Sequence, residues 1–153
     1  MKRSDREIKD QKGIETIIER ADICRIGLSD GNMPYIVPMN FGHKDNCLYF
    51  HCAKEGKKID IIKRNNNACF EMDMDLTFLK PEGRPCGWDT KYQSVIGFGK
   101  AFIVEKFEEK SGALNIITQH YGGDYYPFSE DELENVSIIK IEIVSITGKK
   151  AGY

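Results

Sequence analysis

No stretch of this chain is apolar for the roughly 20 residues that a membrane-spanning helix needs, so no span is expected. The opening MKRSDREIKD carries no apolar segment of the signal-peptide kind. Cysteine is sparse and odd in number: Cys24, Cys47, Cys52, Cys69 and Cys86 include no C-x-x-C pair. That excludes a disulfide frame and points to reduced thiols in the cytoplasm. The three histidines, His43, His51 and His120, are scattered without metal-ligand spacing, so no metal is expected. A surplus of positive charge is missing too. Lys and Arg number 22 against 24 Asp and Glu, a net charge of -2, which gives no general attraction to nucleic acid or anionic membrane. No G-x-G-x-x-G motif is present, so a nicotinamide-dinucleotide fold is excluded. Internal repeats, linkers and low-complexity tracts are absent.

What is there suits one domain over residues 1–153. The length and a hydrophobic content of 41% are enough for a real core. The chain is organised around LYFHCAKEGKKIDII, Leu48 to Ile62. Its first half alternates, with Leu48, Phe50 and Cys52 to one side and Tyr49 and His51 to the other, which predicts a half-buried strand. Its second half changes period, and Ile59, Ile61 and Ile62 make a short apolar helix face. Gly56, Lys57 and Lys58 fall in the first turn of that helix. Lysines there oppose the helix dipole unless an anion is bound. Two readings stand on this pattern: a solvated basic helix end, or a phosphate site made of free N–H groups, two ammonium groups and a glycine.

The rest of the chain alternates strands with turn signals. Ser4 to Arg20 reads as a helix opened by a Ser4–Glu7 capping box, with Gly13 interrupting it. Ile23–Ser29 and Met33–Phe41 read as a hairpin around Asp30-Gly31. Pro34 and Pro38 make the second strand an edge or a bulged strand with free backbone groups. Ala68–Asp75 alternates, with Phe70, Met72 and Met74 facing inward and Cys69, Glu71, Asp73 and Asp75 outward as a solvated acidic face. Leu76–Thr90 reads as a loop holding Trp88. Tyr92–Glu105 reads as a long strand with Gly97 and Gly99 at a bend or close approach. Phe107–Tyr121 reads as a helix burying Leu114, Ile117 and Tyr121, and Ser137–Thr147 as a closing strand. The expectation is a mainly β (α+β) fold. Its antiparallel strands are joined by hairpins, closed into a small barrel and flanked by about three helices.

Four segments together carry a family resemblance: V-P-M-N-F-G at Val37–Gly42, L-Y-F-H-C-A-x-x-G-K-K-I-D at Leu48–Asp60, C-F-E-M-D at Cys69–Asp73, and Y-Q-S-V-I-G-F-G-K-A at Tyr92–Ala101. The chain resembles the Nim-type 5-nitroimidazole-resistance branch of the pyridoxamine 5′-phosphate oxidase-like flavoproteins, from about Arg20 to Lys149. The resemblance implies an FMN-binding split β-barrel that works as a homodimer, with flavin mononucleotide (FMN) at the subunit interface. In the oxidases an aromatic-Thr pair and then Ser-Arg-Lys hold the FMN phosphate. Here His51 and Cys52, followed by Ala53, stand at the first pair, and Gly56, Lys57 and Lys58 at the triplet. Pro38, Met39 and Asn40 match the strand lying along the isoalloxazine ring, and Ser94 matches a polar contact to the flavin.

The chain departs from the oxidases at two points. Lys57 stands where they place Arg, losing a bidentate fork. The Lys149–Tyr153 end lacks their pyridoxal-phosphate grip, which argues against a vitamin B6 substrate. The Nim branch places a histidine near the flavin, and His51 matches it. By its own pattern His51 reads as a hydrogen-bonded surface histidine; it is the resemblance that brings a role at the flavin level with that reading. Cys52 reads as a small barrel residue. Trp88 reads as a dimer contact or a wall of the partner's pocket. Two functions follow: an FMN-dependent oxidoreductase that reduces a small oxidised acceptor such as a nitroimidazole, or a flavin-binding carrier or sensor without turnover.

Overall fold

The computed structural model describes residues 4–153. Hairpins build most of it. Strands β2 (Cys24–Asp30) and β3 (Met33–Met39) pair from Asp30↔Met33 to Cys24↔Met39 around Gly31 at φ 62°. Strands β4 (Gly42–Lys44) and β5 (Cys47–Ala53) turn at Asp45 and Asn46, both at positive φ. That pair of conformations defines the tight turn whose twist matches flanking strands. Three long strands follow: β6 (Asn67–Leu79), β7 (Asp89–Val104) and β8 (Val136–Ala151). A two-residue strand, β1 (Glu7–Ile8), pairs with β8. Every pairing is antiparallel, and the main path runs β3-β2-β6-β7-β8-β5-β4. This is the expected split-barrel architecture, but the sheet does not close, so the closed barrel is corrected to an open one. β3 is an edge, and its two prolines offer no N–H to a further strand.

The inward faces alternate as the sequence predicts. Phe50, Phe70, Met72, Val95, Ile139 and Ile141 are buried together. Helices α1 (Gln11–Arg20) and α2 (Lys57–Arg64) add Ile14, Ile17 and Ile18, and Ile59, Ile61 and Ile62, to that core. A smaller cluster sits where α3 (Phe107–His120) packs Ala113 and Ile117 against Val104 and Ile138. A one-turn helix, α4 (Glu130–Leu133), carries a full capping box at Ser129 and Glu132. Among the described residues, no helix is long and apolar enough to cross a membrane.

Four further expectations are corrected. The N-terminal helix begins at Gln11 rather than Ser4. Ser4–Arg6 forms a single 3-10 turn, and burial of Ile8 opposite Gly148 commits the next residues to a strand. The cap is Asp10, whose carboxylate accepts from the Gly13 N–H at 2.7 Å. The segment 76–90 is not all loop: Thr77, Phe78 and Leu79 pair with Lys91, Thr90 and Asp89 past a bulge at Met74/Thr77, and only the Pro- and Gly-rich tip is irregular. The helix α3 ends at His120, and its cap Tyr121 is exposed, while Lys110 and Asn115 are buried instead. Finally, the acidic row is not simply solvated. Arg25 pairs with Glu71 at 3.0 Å and also with Asp73, and Arg20 pairs with Asp75 at 3.2 Å. Burial and the neighbouring Asp73 push the Glu71 carboxyl up.

Gly97 pairs with Phe70, and a Cβ there would stand 2.1 Å from the ring's Cζ. The ring itself is fully enclosed, so it cannot give way. Gly97→Ala is expected to lower stability by about 1–3 kcal/mol through overpacking. Urea unfolding, with an unchanged m-value, is the measurement.

Candidate functional site

Seven of the ten expected cofactor residues meet on one groove at the split in the sheet. β3, at one end of the sheet, and β5, beside the other, wall an open groove of about 560 Å³. That lies within the roughly 300–1,000 Å³ of ordinary small-molecule and cofactor sites. Pro38, Met39 and Asn40 line one side, and His51, Cys52 and Ala53 the other. Lys58 reaches in from α2. Val37, Asn135 and Val136 complete the walls. The three residues of β5 get there by register: His51, Cys52 and Ala53 pair with Ile138, Ser137 and Val136. The end of β5 therefore meets the start of β8, and Asn135 comes with it. Nothing local in the sequence signals Asn135; only the β5–β8 pairing does.

The electrostatics centre on the start of α2. Gly56 is the N-cap, at φ 130° and ψ 166°, with no side-chain cap. An added Cβ would meet nothing within 4 Å, so the backbone angle rather than crowding calls for glycine. The Gly56 carbonyl accepts from Ile59 N–H at 2.9 Å and Asp60 N–H at 3.2 Å. Among the described residues, the N–H groups of Lys57 and Lys58 have no protein acceptor. Such unpaired first-turn donors at the positive end of a helix suit an anion.

The two lysines divide. Lys58 faces the groove, whereas Lys57 leans toward the β2–β3 hairpin. Its Nζ lies 3.6 Å from Asp30 Oδ2 and 5.4 Å from the centre of the Tyr35 ring. Asp30 also accepts from Arg64 at 2.7 Å. Asp30, Tyr35 and Arg64 thus belong to the surroundings of the basic turn, which sequence reasoning missed. Gly56 and Lys57 lie outside the groove walls. Ser94 is also elsewhere: with Ile96, Thr147 and Lys149 it lines a separate groove of about 360 Å³ on β7 and β8.

Burial pushes the Cys52 thiol up, and the Lys58 ammonium only partly opposes this. A protonated thiol is a wall, not a nucleophile. The five cysteines are all free. Among the described residues no three His, Cys, Asp or Glu side chains converge as a metal site. Another cleft, of about 380 Å³, lies by Arg20, Arg25, Asp73 and Asp75, but its charges are spent on one another.

The donor set fits a flavin phosphate ester. The groove offers edge-strand backbone and small side chains for a flat ring, and an unpaired helix start with an ammonium group for an anion. Similarity to known proteins bears on the family. The chain matches the family model described as pyridoxamine 5′-phosphate oxidase over residues 10–150. No curated protein sequence matches it. Among solved structures, it is 36% identical to a candidate 5-nitroimidazole antibiotic resistance protein from Bacteroides thetaiotaomicron, covering 94% of this chain and 86% of that one, with a TM-score of 0.84. The fold also recurs at 13% identity in an FAD and heme binding protein from Mycobacterium smegmatis, covering 97% and 74%, TM-score 0.85. At 18% identity it recurs in an FAD-binding protein from Mesorhizobium loti, covering 96% and 98%, TM-score 0.70. The open split barrel, its groove and these matches place the chain in the pyridoxamine 5′-phosphate oxidase family of flavin-binding proteins, in the branch that resembles 5-nitroimidazole resistance proteins.

Proposed function

We propose that this protein is an FMN-dependent reductase of a small oxidised acceptor, with nitroimidazoles as the acceptor class, acting as a homodimer in the cytoplasm. The observation that carries this reading is the convergence of β3, β5 and the start of α2 on one groove. When bound, the flavin supplies the electron transfer. The chain's own residues do the rest. Lys58 and the free N–H groups of Lys57 and Lys58 hold the phosphate. The edge backbone at Pro38–Asn40 supports the ring. His51 stands in the groove as a proton donor to the acceptor. The 36% identity to a candidate nitroimidazole resistance protein supports the acceptor class. The test is the absorbance spectrum of the purified protein, then anaerobic reduction with and without a nitroimidazole. A flavin that stays reduced in the presence of the nitro compound would leave a binding protein without turnover.

The homodimer rests on an apolar outer face. Ile36, Gly27, Cys69 and Phe98 fall in one row across β3, β2, β6 and β7. Ile36 is 69% exposed and Phe98 58%, with Ile96 and Val144 exposed nearby. Contiguous apolar surface of this kind marks interfaces. The Ser94 groove lies on the same face, so a partner seated there would bring Ser94 to a shared site. Phe98→Asp is expected to give a monomer that has lost FMN, because the interfacial side of the groove goes with the partner. Light scattering coupled to gel filtration and the flavin absorbance measure both. A flavin-loaded dimer from this variant would move the interface elsewhere.

A further inference from the structure

A second cavity, of about 320 Å³, opens beside the flavin groove and shares Val136 with it. Three lysines line it: Lys54 from the β5–α2 turn, Lys63 from α2 and Lys110 from α3. The single carboxylate among its lining residues is Glu105, and among the described residues none of the three lysines pairs with any carboxylate. The other basic clusters behave differently. Lys57 and Arg64 share Asp30, and Arg25 takes Glu71 and Asp73.

Lys110 is the anchor of this cavity. It is only 8% exposed. Its Nζ donates to the Leu133 carbonyl at 2.9 Å, which caps the end of α4 and uses one of its three protons. Burying an ammonium without a counter-charge is costly. The strain is visible in its acidity: burial, and then the like charge of Lys54, push the Lys110 pKa down. Three ammonium groups against the one carboxylate of Glu105, with Lys110 itself buried, leave a net positive site that an anion completes. Ser137, buried on β8, adds a hydroxyl to the wall.

We infer that the Lys54–Lys63–Lys110 cavity is a phosphate-binding subsite, distinct from the flavin phosphate turn, that takes the second phosphate of a dinucleotide. The position supports this: the two cavities share the wall at Val136, with Ala53 on the flavin groove and its neighbour Lys54 on the second cavity. The anion site itself does not depend on the flavin reading; only the identity of its occupant rests on it. That occupant is either the distal phosphate of a flavin dinucleotide or a phosphate of a nicotinamide donor docked at the flavin.

The experiment is calorimetric titration of inorganic pyrophosphate into FMN-loaded protein in phosphate-free buffer. One-site binding is expected, weakening as salt is added. Lys54→Ala and Lys63→Ala should each weaken it by about tenfold, the usual loss for one charge-assisted hydrogen bond. Both variants leave the Lys110–Leu133 bond in place, so they bypass the α4 cap and its folding role. Lys110→Met should abolish binding, and Lys12→Ala, on exposed α1, should not change it. The same titration on the Lys57→Ala/Lys58→Ala protein separates the two sites. Pyrophosphate binding retained there keeps this proposal even where the flavin reading fails. The arms then compare FAD with FMN, and NADPH on FMN-loaded protein. The dinucleotide whose affinity falls on Lys54→Ala is the occupant, and a fall in neither overturns the assignment to a dinucleotide. Absence of pyrophosphate binding, or binding that ignores all three lysines, overturns the site.

Discussion

Lys57→Ala combined with Lys58→Ala is expected to weaken FMN binding by about 2–4 kcal/mol, or roughly 30- to 700-fold, the sum of two charge-assisted contacts to a phosphate. The structure adds an asymmetry. Lys58 lines the groove, whereas Lys57 is shared with Asp30 and the Tyr35 ring. A phosphate drawing on Lys57 must compete with a partly exposed carboxylate that already holds it. Lys58→Ala alone should therefore cost more than Lys57→Ala alone. Asp30→Asn should narrow that gap by releasing Lys57. Riboflavin, which lacks the phosphate, should bind wild type poorly and be indifferent to both substitutions. Fluorescence titration of the flavin measures all of these. Lys63 is no neutral control here because it lines the neighbouring basic cavity, so Lys12→Ala serves. Equal affinities in wild type and the double variant would remove the phosphate from the α2 turn.

The division between what was legible in the sequence and what was not follows the range of the interactions. Periodicity placed β5 and α2, because both are set by which side chains face one core: Leu48 and Phe50 on a period of two, then Ile59, Ile61 and Ile62 on a helical face. Gly56 was legible as the glycine of a basic helix start, but the positive φ that calls for glycine there was not. The start of the N-terminal helix was not. Ser4 and Glu7 satisfy the capping pattern, but pairing of Ile8 with Gly148, 140 residues away, competes with it and wins. The Leu76–Leu79 segment was obscured by Pro81, Gly83 and Pro85, which belong to the tip of a hairpin arm rather than to the whole segment. The site divides likewise. His51, Cys52 and Lys58 come from one continuous run, while Asn135 joins them through strand pairing alone. Alternation placed Cys52 correctly on the core side, opposite His51; that both line the groove was not legible from it, because the groove lies at the end of β5 where the barrel is split. Buried Lys110 and Asn115 ran against the helical pattern. Each is explained by a carbonyl far along the chain: Leu133 for Lys110, and Tyr126 for Asn115, whose side chain also accepts from the Tyr126 N–H at 2.7 Å.

Under the proposed function, the chemistry turns on His51. It is exposed at the groove, on the strand face opposite Phe50, and the hydrogen bonds described engage no atom of its ring. Its side chain is therefore free to turn toward a bound acceptor. Reduction of a nitro group consumes protons along with electrons, and the imidazole is the side chain that exchanges a proton most readily between pH 5 and 8. The competing donors are poorer. Burial raises the Cys52 thiol pKa and so holds its proton, and under the proposed function Lys58 serves the phosphate. His51→Ala is expected to keep FMN bound, since the phosphate turn and the Pro38–Asn40 edge are untouched. It should slow acceptor reduction by about 10²–10⁴, the range for removal of a general acid. His51→Gln should recover little, because an amide keeps a hydrogen bond without transferring a proton. The measurement is anaerobic stopped-flow mixing of pre-reduced, FMN-loaded protein with a nitroimidazole, for wild type and both variants across pH. A loss confined to the acceptor step, with the wild-type pH dependence flattened in His51→Ala, is the signature of proton donation. Equal rates in wild type and His51→Ala would make His51 a wall of the groove. Recovery of the full rate in His51→Gln would assign it to orienting the acceptor through a hydrogen bond.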